Sequence, residues 1–285
     1  MLSFLVALVL TATAGLALNR WAERRLLRPD ARYPHPALTA AAPHARRLVC
    51  AGDSLTHANM SASYLTPLAA RLAAQPAIEI FNAGINADLA ENLRRRLDDV
   101  LSARPDFVTV LIGSNDVNAS LGPAQLRDYR RLGKLTADAA PSAEEFRVHL
   151  TDIVRRLRRE TSARVALLSL PPLSEDLSHE ANRRADLYSR IIEETAAAEG
   201  AAYLPLREHL LAKLRRHPSR PRVRFEQTTW LVRQAIVRHY VFGQSWDRIA
   251  AGHGCRFLTD NLHLNAAGAA VAANLIADWL ATETQ

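Results

Sequence analysis

Five short β-rich runs, at residues 48–51, 78–82, 107–112, 165–170 and 202–204, alternate along the chain with longer helical stretches. Strands separated by helices predict a parallel sheet with covering helices, because a parallel pair needs a crossover long enough to hold a helix. Residues 107–112 form an unbroken apolar and β-branched run, which predicts a central strand buried on both faces. Helix signals fill the gaps. Ser142 followed by Glu145 is a capping box that opens a helix running to about residue 160. Alanine-rich stretches at 181–199 and 266–281 also read as helices, and Gly200 stands where a left-handed C-cap belongs.

A sheet of this kind binds ligands outside the carboxyl ends of its strands. Three polar loops leave those ends: Gly52-Asp53-Ser54-Leu55 after the first run, Gly84 after the second, and Gly113-Ser114-Asn115-Asp116 after the third. A serine hydroxyl is a poor nucleophile until a base takes its proton, and a carbonyl resists attack until its developing oxyanion is stabilised. Ser54, between a strand and a helix start, is expected at the sheet edge, with a helix N-terminus adding positive potential and its own N–H pointing into the same space. Gly84, in Asn82-Ala83-Gly84-Ile85-Asn86, offers a second N–H with no side chain in the way, and Asn115 offers a side-chain amide. Ser54, Gly84 and Asn115 are thus expected to form an oxyanion hole.

The base comes from the far end of the chain. In Asp260-Asn261-Leu262-His263 a spacing of three can fold the carboxylate back on the imidazole. Asp260 would then accept from Nδ1–H, leaving Nε2 of His263 to take the Ser54 proton. Asp53 and Asp116 are expected to hydrogen-bond loop backbone and so support Ser54 and Asn115. His57 is expected to be a pocket-wall or surface residue, and Arg94-Arg95-Arg96 to be the solvated face of a helix.

In order and placement, Ala51-Gly52-Asp53-Ser54-Leu55-Thr56, Gly84, Gly113-Ser114-Asn115-Asp116 and Asp260-Asn261-Leu262-His263 resemble the four sequence blocks of the SGNH (GDSL-type) hydrolases. The resemblance runs from about residue 46 to 281. It implies a flavodoxin-like three-layer α/β/α sandwich with a five-stranded parallel sheet, and family roles for Ser54, Gly84, Asn115 and His263. It also implies hydrolysis of acyl esters through an acyl-serine intermediate, with no metal or organic cofactor. The same Ser-His-Asp site could pass the acyl group to an alcohol, making an acyltransferase. A non-catalytic, membrane-tethered binding protein is the rival from another class, but it has no need for base, orienter and oxyanion donors together.

Composition changes this picture little. The 285 residues are 48% hydrophobic, without repeats or a Gly/Ser-rich linker, and predict one domain over residues 46–285. A formal charge of +7 raises nucleic acid as a partner, but no recognisable nucleic-acid-binding motif accompanies it, and a solvated surface explains it. Cys50 and Cys255 lie in neither a CxxC pair nor a metal cluster. The expected partner is a small-molecule or lipid ester, and no obligate protein partner is inferred.

Residues 1–18 are almost wholly apolar and are followed by Arg20, Arg24, Arg25 and Arg28. No basic residue precedes the apolar run, so residues 1–28 read as an uncleaved membrane anchor rather than a signal segment, although Ala12-Thr13-Ala14 would suit cleavage. The arginines favour a cytoplasmic domain by the positive-inside bias; a cleaved signal would make it secreted or periplasmic. Residues 29–45 read as a tether. An insertion from about 207 to 254 carries Lys213, Arg215, Arg216, Arg220, Arg222 and Arg224. Within it, Trp230, Leu231, Ala235, Ile236 and Tyr240 approximate one helical face, expected either to wall the active-site mouth or to form an ordinary peripheral helix.

Overall fold

The computed structural model describes residues 33–36, 45–73 and 78–283. The chain passes through β1 (Arg46–Gly52), α1 (Ser54–His57), α2 (Leu65–Leu72), β2 (Ile78–Gly84), α3 (Ala90–Arg95), α4 (Leu97–Ser102), β3 (Phe107–Leu111), α5 (Ser114–Ser120) and α6 (Pro123–Arg131). It continues through α7 (Ala143–Glu160), β4 (Arg164–Leu168), α8 (Glu180–Glu199), β5 (Ala202–Leu204), α9 (Leu206–Arg216), α10 (Thr228–Tyr240), α11 (Trp246–Gly252) and α12 (Ala266–Glu283). The membrane segment expected over residues 1–18, with its basic flank, lies outside the described residues. Among the described residues no helix is long and apolar enough to cross a membrane.

The strands form one parallel sheet in the order β2-β1-β3-β4-β5. Strand order reverses at β1, and the crevice it opens between the ends of β1 and β3 is where such sheets bind ligands. Alternation along each strand feeds two cores. Val49, Ala51, Phe81, Val108 and Val110 pack with α7 and α8 on one face. Leu48, Cys50, Ile80 and Leu111 pack with α2, α9 and α12 on the other. Local signals hold where expected: Ser142 and Glu145 close the capping box of α7, and Gly200 caps α8 with φ 64°. Cys50 and Cys255 are both buried free thiols.

Residues 206–216, where the insertion is expected to start, pack on the sheet. Leu206, Leu210 and Leu214 make a buried i, i+4, i+8 stripe, so α9 is a covering helix of the sheet. Arg207, at the start of the expected insertion, is buried: Nε donates to Asp186 at 2.7 Å, and Nη2 donates to the Asn182 carbonyl at 2.9 Å. Trp230 is also off its expected face. Leu231, Ala235 and Ile236 are buried on α10, whereas Trp230 points outward and is 58% exposed.

Candidate active site

β1 ends at Gly52, and the chain turns at once into α1. Asp53 caps that helix, its Oδ1 accepting from the Leu55 N–H at 2.9 Å, which sets Ser54 at the first helical position. Ser54 is buried to 7% exposure, and its N–H has no acceptor among the described residues. Its hydroxyl donates to Nε2 of His263 at 2.9 Å.

His263 arrives on a loop pinched by an isolated bridge between Leu258 and Leu264 and turned by Asn261, a non-glycine residue at φ 78°. Its Nδ1 lies 3.0 Å from both carboxylate oxygens of Asp260. Oδ1 of Asp260 also accepts the backbone N–H groups of Leu262 and His263, so the carboxylate organises its own loop. Burial pulls the His263 pKa down, but the charge and hydrogen bond of Asp260 outweigh it, and the net displacement is upward. His57 is elsewhere: its Nδ1 donates to the Gly84 carbonyl at 2.9 Å.

The third loop needs Gly113 at φ 123°, and a Cβ there would stand 2.8 Å from the Phe146 ring. Asn115 follows on α5. Its Nδ2 donates to the Asp88 carbonyl at 2.9 Å and, more loosely, to Asp53 Oδ2 at 3.3 Å. Asp116 reaches across to the second loop, where both oxygens accept the Ala90 N–H. Burial pushes the carboxyls of Asp53 and Asp116 up to about 7.

Ser54, Asp260 and His263 are thus brought together, and Asn115 lies alongside through Asp53. Gly84 differs from its expected part. Its N–H is already donated to Asn82 Oδ1 at 2.9 Å, so it is not free to face a substrate oxygen. Its lack of a side chain serves packing instead, since a Cβ would sit 2.2 Å from the His57 backbone nitrogen. The second loop approaches Asn115 further along, at the turn after Ile85, where Ala87 adopts φ 62° and its N–H has no acceptor among the described residues. A non-glycine residue in that region is a sign of strain held for a reason. An alanine carries no sequence signal for such a turn.

Two further groups were not legible in the chain. Buried Glu175 accepts the N–H groups of Arg256, Phe257 and Leu258 at 2.8, 2.6 and 2.8 Å, bracing the approach to the His263 loop. Arg96 leaves the solvated face assigned to its arginine run, with Nε 2.7 Å from Asp88 Oδ2 and Nη2 donating to the Gly52 carbonyl. Lys134 Nζ lies 2.6 Å from the other Asp88 oxygen. Residues of the segment from α10 to the cap of α11 also touch both sides of the site. Tyr240 donates to the Asn59 carbonyl at 2.7 Å, and His253 Nδ1 donates to the Thr259 carbonyl at 2.7 Å. Among the described residues no group of three or more His, Cys, Asp or Glu side chains is arranged to hold a metal ion.

Comparison with known proteins agrees with this fold. The acetylxylan esterase of Geobacillus stearothermophilus superposes with a TM-score of 0.56 at 16% identity, over 81% of this chain and 92% of that one. The lipase/acylhydrolase of Enterococcus faecalis superposes with a TM-score of 0.55 at 20% identity, over 84% and 96%. An α/β hydrolase from the metagenome of Lake Arreo, Spain, gives 0.56 at 20% identity, over 85% and 95%. These likenesses establish the fold. No curated protein matches the sequence. The GDSL-like Lipase/Acylhydrolase family matches residues 50–271, most of the sheet and both ends of the site, and the chain belongs to that family of ester-cleaving hydrolases.

Proposed function

We propose that the protein hydrolyses carboxylic esters of short acyl groups through an acyl-Ser54 intermediate. The observation that carries this reading is the continuous line from Asp260 to His263 Nδ1 at 3.0 Å and from His263 Nε2 to Ser54 Oγ at 2.9 Å. Ser54 Oγ attacks the ester carbonyl carbon while its proton passes to Nε2. The tetrahedral oxyanion is held by the N–H of Ser54, by Nδ2 of Asn115, whose long contact to Asp53 yields to it, and by the N–H of Ala87 in place of Gly84. Collapse breaks the C–O bond to the alcohol, which leaves with the Nε2 proton. Water then attacks the acyl-serine by the same route and releases the acid. A short acyl group suits a site in which Ser54, Asn115 and His263 are 7%, 7% and 4% exposed. It also suits the acetylxylan esterase among the structural neighbours.

Labelling with a fluorophosphonate tests the nucleophile. Wild type should be labelled stoichiometrically and Ser54→Ala not at all; labelling that persists in Ser54→Ala refutes the assignment. A series of p-nitrophenyl esters should show kcat/KM falling as the acyl chain lengthens beyond acetyl and butyryl.

The pH profile has a defined sign. Nε2 accepts a proton only when neutral, and the His263 pKa is displaced upward from 6.5. For a non-ionising ester, kcat/KM should therefore climb with pH along a limb centred above 6.5. Asp53 and Asp116, both pushed up to about 7, titrate in the same window, so the limb that survives when both are changed to asparagine belongs to His263. A surviving limb centred at or below 6.5 would contradict the pairing.

A further inference from the structure

One buried hydroxyl outside the groups that would touch an ester is aimed at one of them. Tyr129, on α6, is 5% exposed, and its OH donates to Asn115 Oδ1 at 2.6 Å. The Tyr129 hydroxyl oxygen in turn accepts from Asn118 Nδ2 at 3.1 Å. Burial pushes the phenol pKa well up, so the proton in this contact stays on the oxygen.

A carboxamide is nearly symmetric in shape but opposite in polarity at its two ends. Rotated by half a turn, Asn115 would present Oδ1 to the reacting carbonyl, and a lone pair would meet the developing negative charge. Two contacts forbid that rotation. The Asp88 carbonyl can only accept, so it selects Nδ2. The Tyr129 oxygen is already accepting from Asn118, which turns its single proton toward Asn115 and selects Oδ1. Successive bonds of this kind polarise and strengthen one another in a low-dielectric interior.

We propose that Tyr129 is a positioning residue whose hydroxyl, oriented by Asn118, locks the Asn115 carboxamide with Nδ2 toward the oxyanion. This deepens the reading of Asn115 as an oxyanion donor and rests on it. Tyr129 itself touches no substrate.

Tyr129→Phe deletes the hydroxyl and keeps the ring against Leu89 and Ala119. For p-nitrophenyl acetate, kcat should fall about tenfold with KM within twofold, a fraction of the roughly 10²-fold lost with a whole donor. The discriminating measurement is the same substitution made in an Asn115→Ala background. There Tyr129→Phe should change kcat by less than twofold, because no amide remains to orient, whereas general structural damage would lower it again by the same factor. Asn118→Ala, at a half-buried position, should lower kcat about threefold and likewise lose its effect in Asn115→Ala, which keeps the test open if Tyr129→Phe folds poorly. Unchanged kcat in Tyr129→Phe beside an impaired Asn115→Ala overturns the positioning role alone, as do additive losses. Unchanged kcat in Asn115→Ala overturns the oxyanion reading itself.

Discussion

His263→Ala is expected to lower kcat by about four to six orders of magnitude while the protein stays folded. The imidazole contributes to both halves of the cycle. Its Nε2, 2.9 Å from Ser54 Oγ, is the only basic nitrogen in contact with that hydroxyl among the described residues. His57 is turned away from it: its Nδ1 donates to the Gly84 carbonyl, and no hydrogen bond joins its ring to Ser54 among the described residues. The loop should survive the loss, since Asp260 keeps the backbone N–H groups at positions 262 and 263 and Glu175 keeps its three. Asp260→Asn should cost about 10⁴ in kcat by leaving Nδ1 without a carboxylate to fix its tautomer. Steady-state kinetics with p-nitrophenyl acetate, beside circular dichroism melts, checks both. More than about 1% residual kcat in folded His263→Ala would mean that another group serves as base.

Gly84→Ala should act on stability before it acts on catalysis. The new Cβ would lie 2.2 Å from the His57 backbone nitrogen, 2.7 Å from the Thr56 carbonyl carbon and 2.8 Å from Thr56 Cβ. Two of those three atoms are backbone of α1, so a side-chain rotation cannot clear them. The helix that carries Ser54 must move. Overpacking of this kind costs about 3 kcal/mol or more, against a total stability of roughly 5–15 kcal/mol, and should lower Tm by about 6–12 °C. Asn82→Ala, which removes the acceptor of the Gly84 N–H, should cost a milder 1–2 kcal/mol or so. Thermal and urea melts decide the matter. A Gly84→Ala protein with wild-type Tm would contradict the packing role, because the contact with α1 would then be relieved at no cost.

The two parts read for Gly84 illustrate what a chain discloses. Its place at a strand end, one loop from Ser54, was visible, because a strand's apolar run and the polar residues that end it are contiguous. Whether its N–H was free was not, because that depended on Asn82 curling back by two residues and on α1 pressing against it from another loop. Arg96 is a similar case. Its run of three arginines reads as solvated, yet one of them turns inward to Asp88, itself placed by the second loop. Glu175 had no local signal at all, since the N–H groups that it holds lie more than 80 residues away.

Periodicity, capping and turn chemistry act over a few residues, so the five strands, the α7 capping box, the Gly200 cap and the pairing of Asp260 with His263 could be read from neighbours in the chain. The contact of His263 with Ser54 spans 209 residues, and only the order and placement of the motifs hinted at it. Which backbone N–H remains unpaired, which way an amide faces and which charged side chain is buried depend on groups that meet only when the sheet closes. Hydrogen-bond satisfaction is decided by all the neighbours at once, and those neighbours are a property of the packed structure.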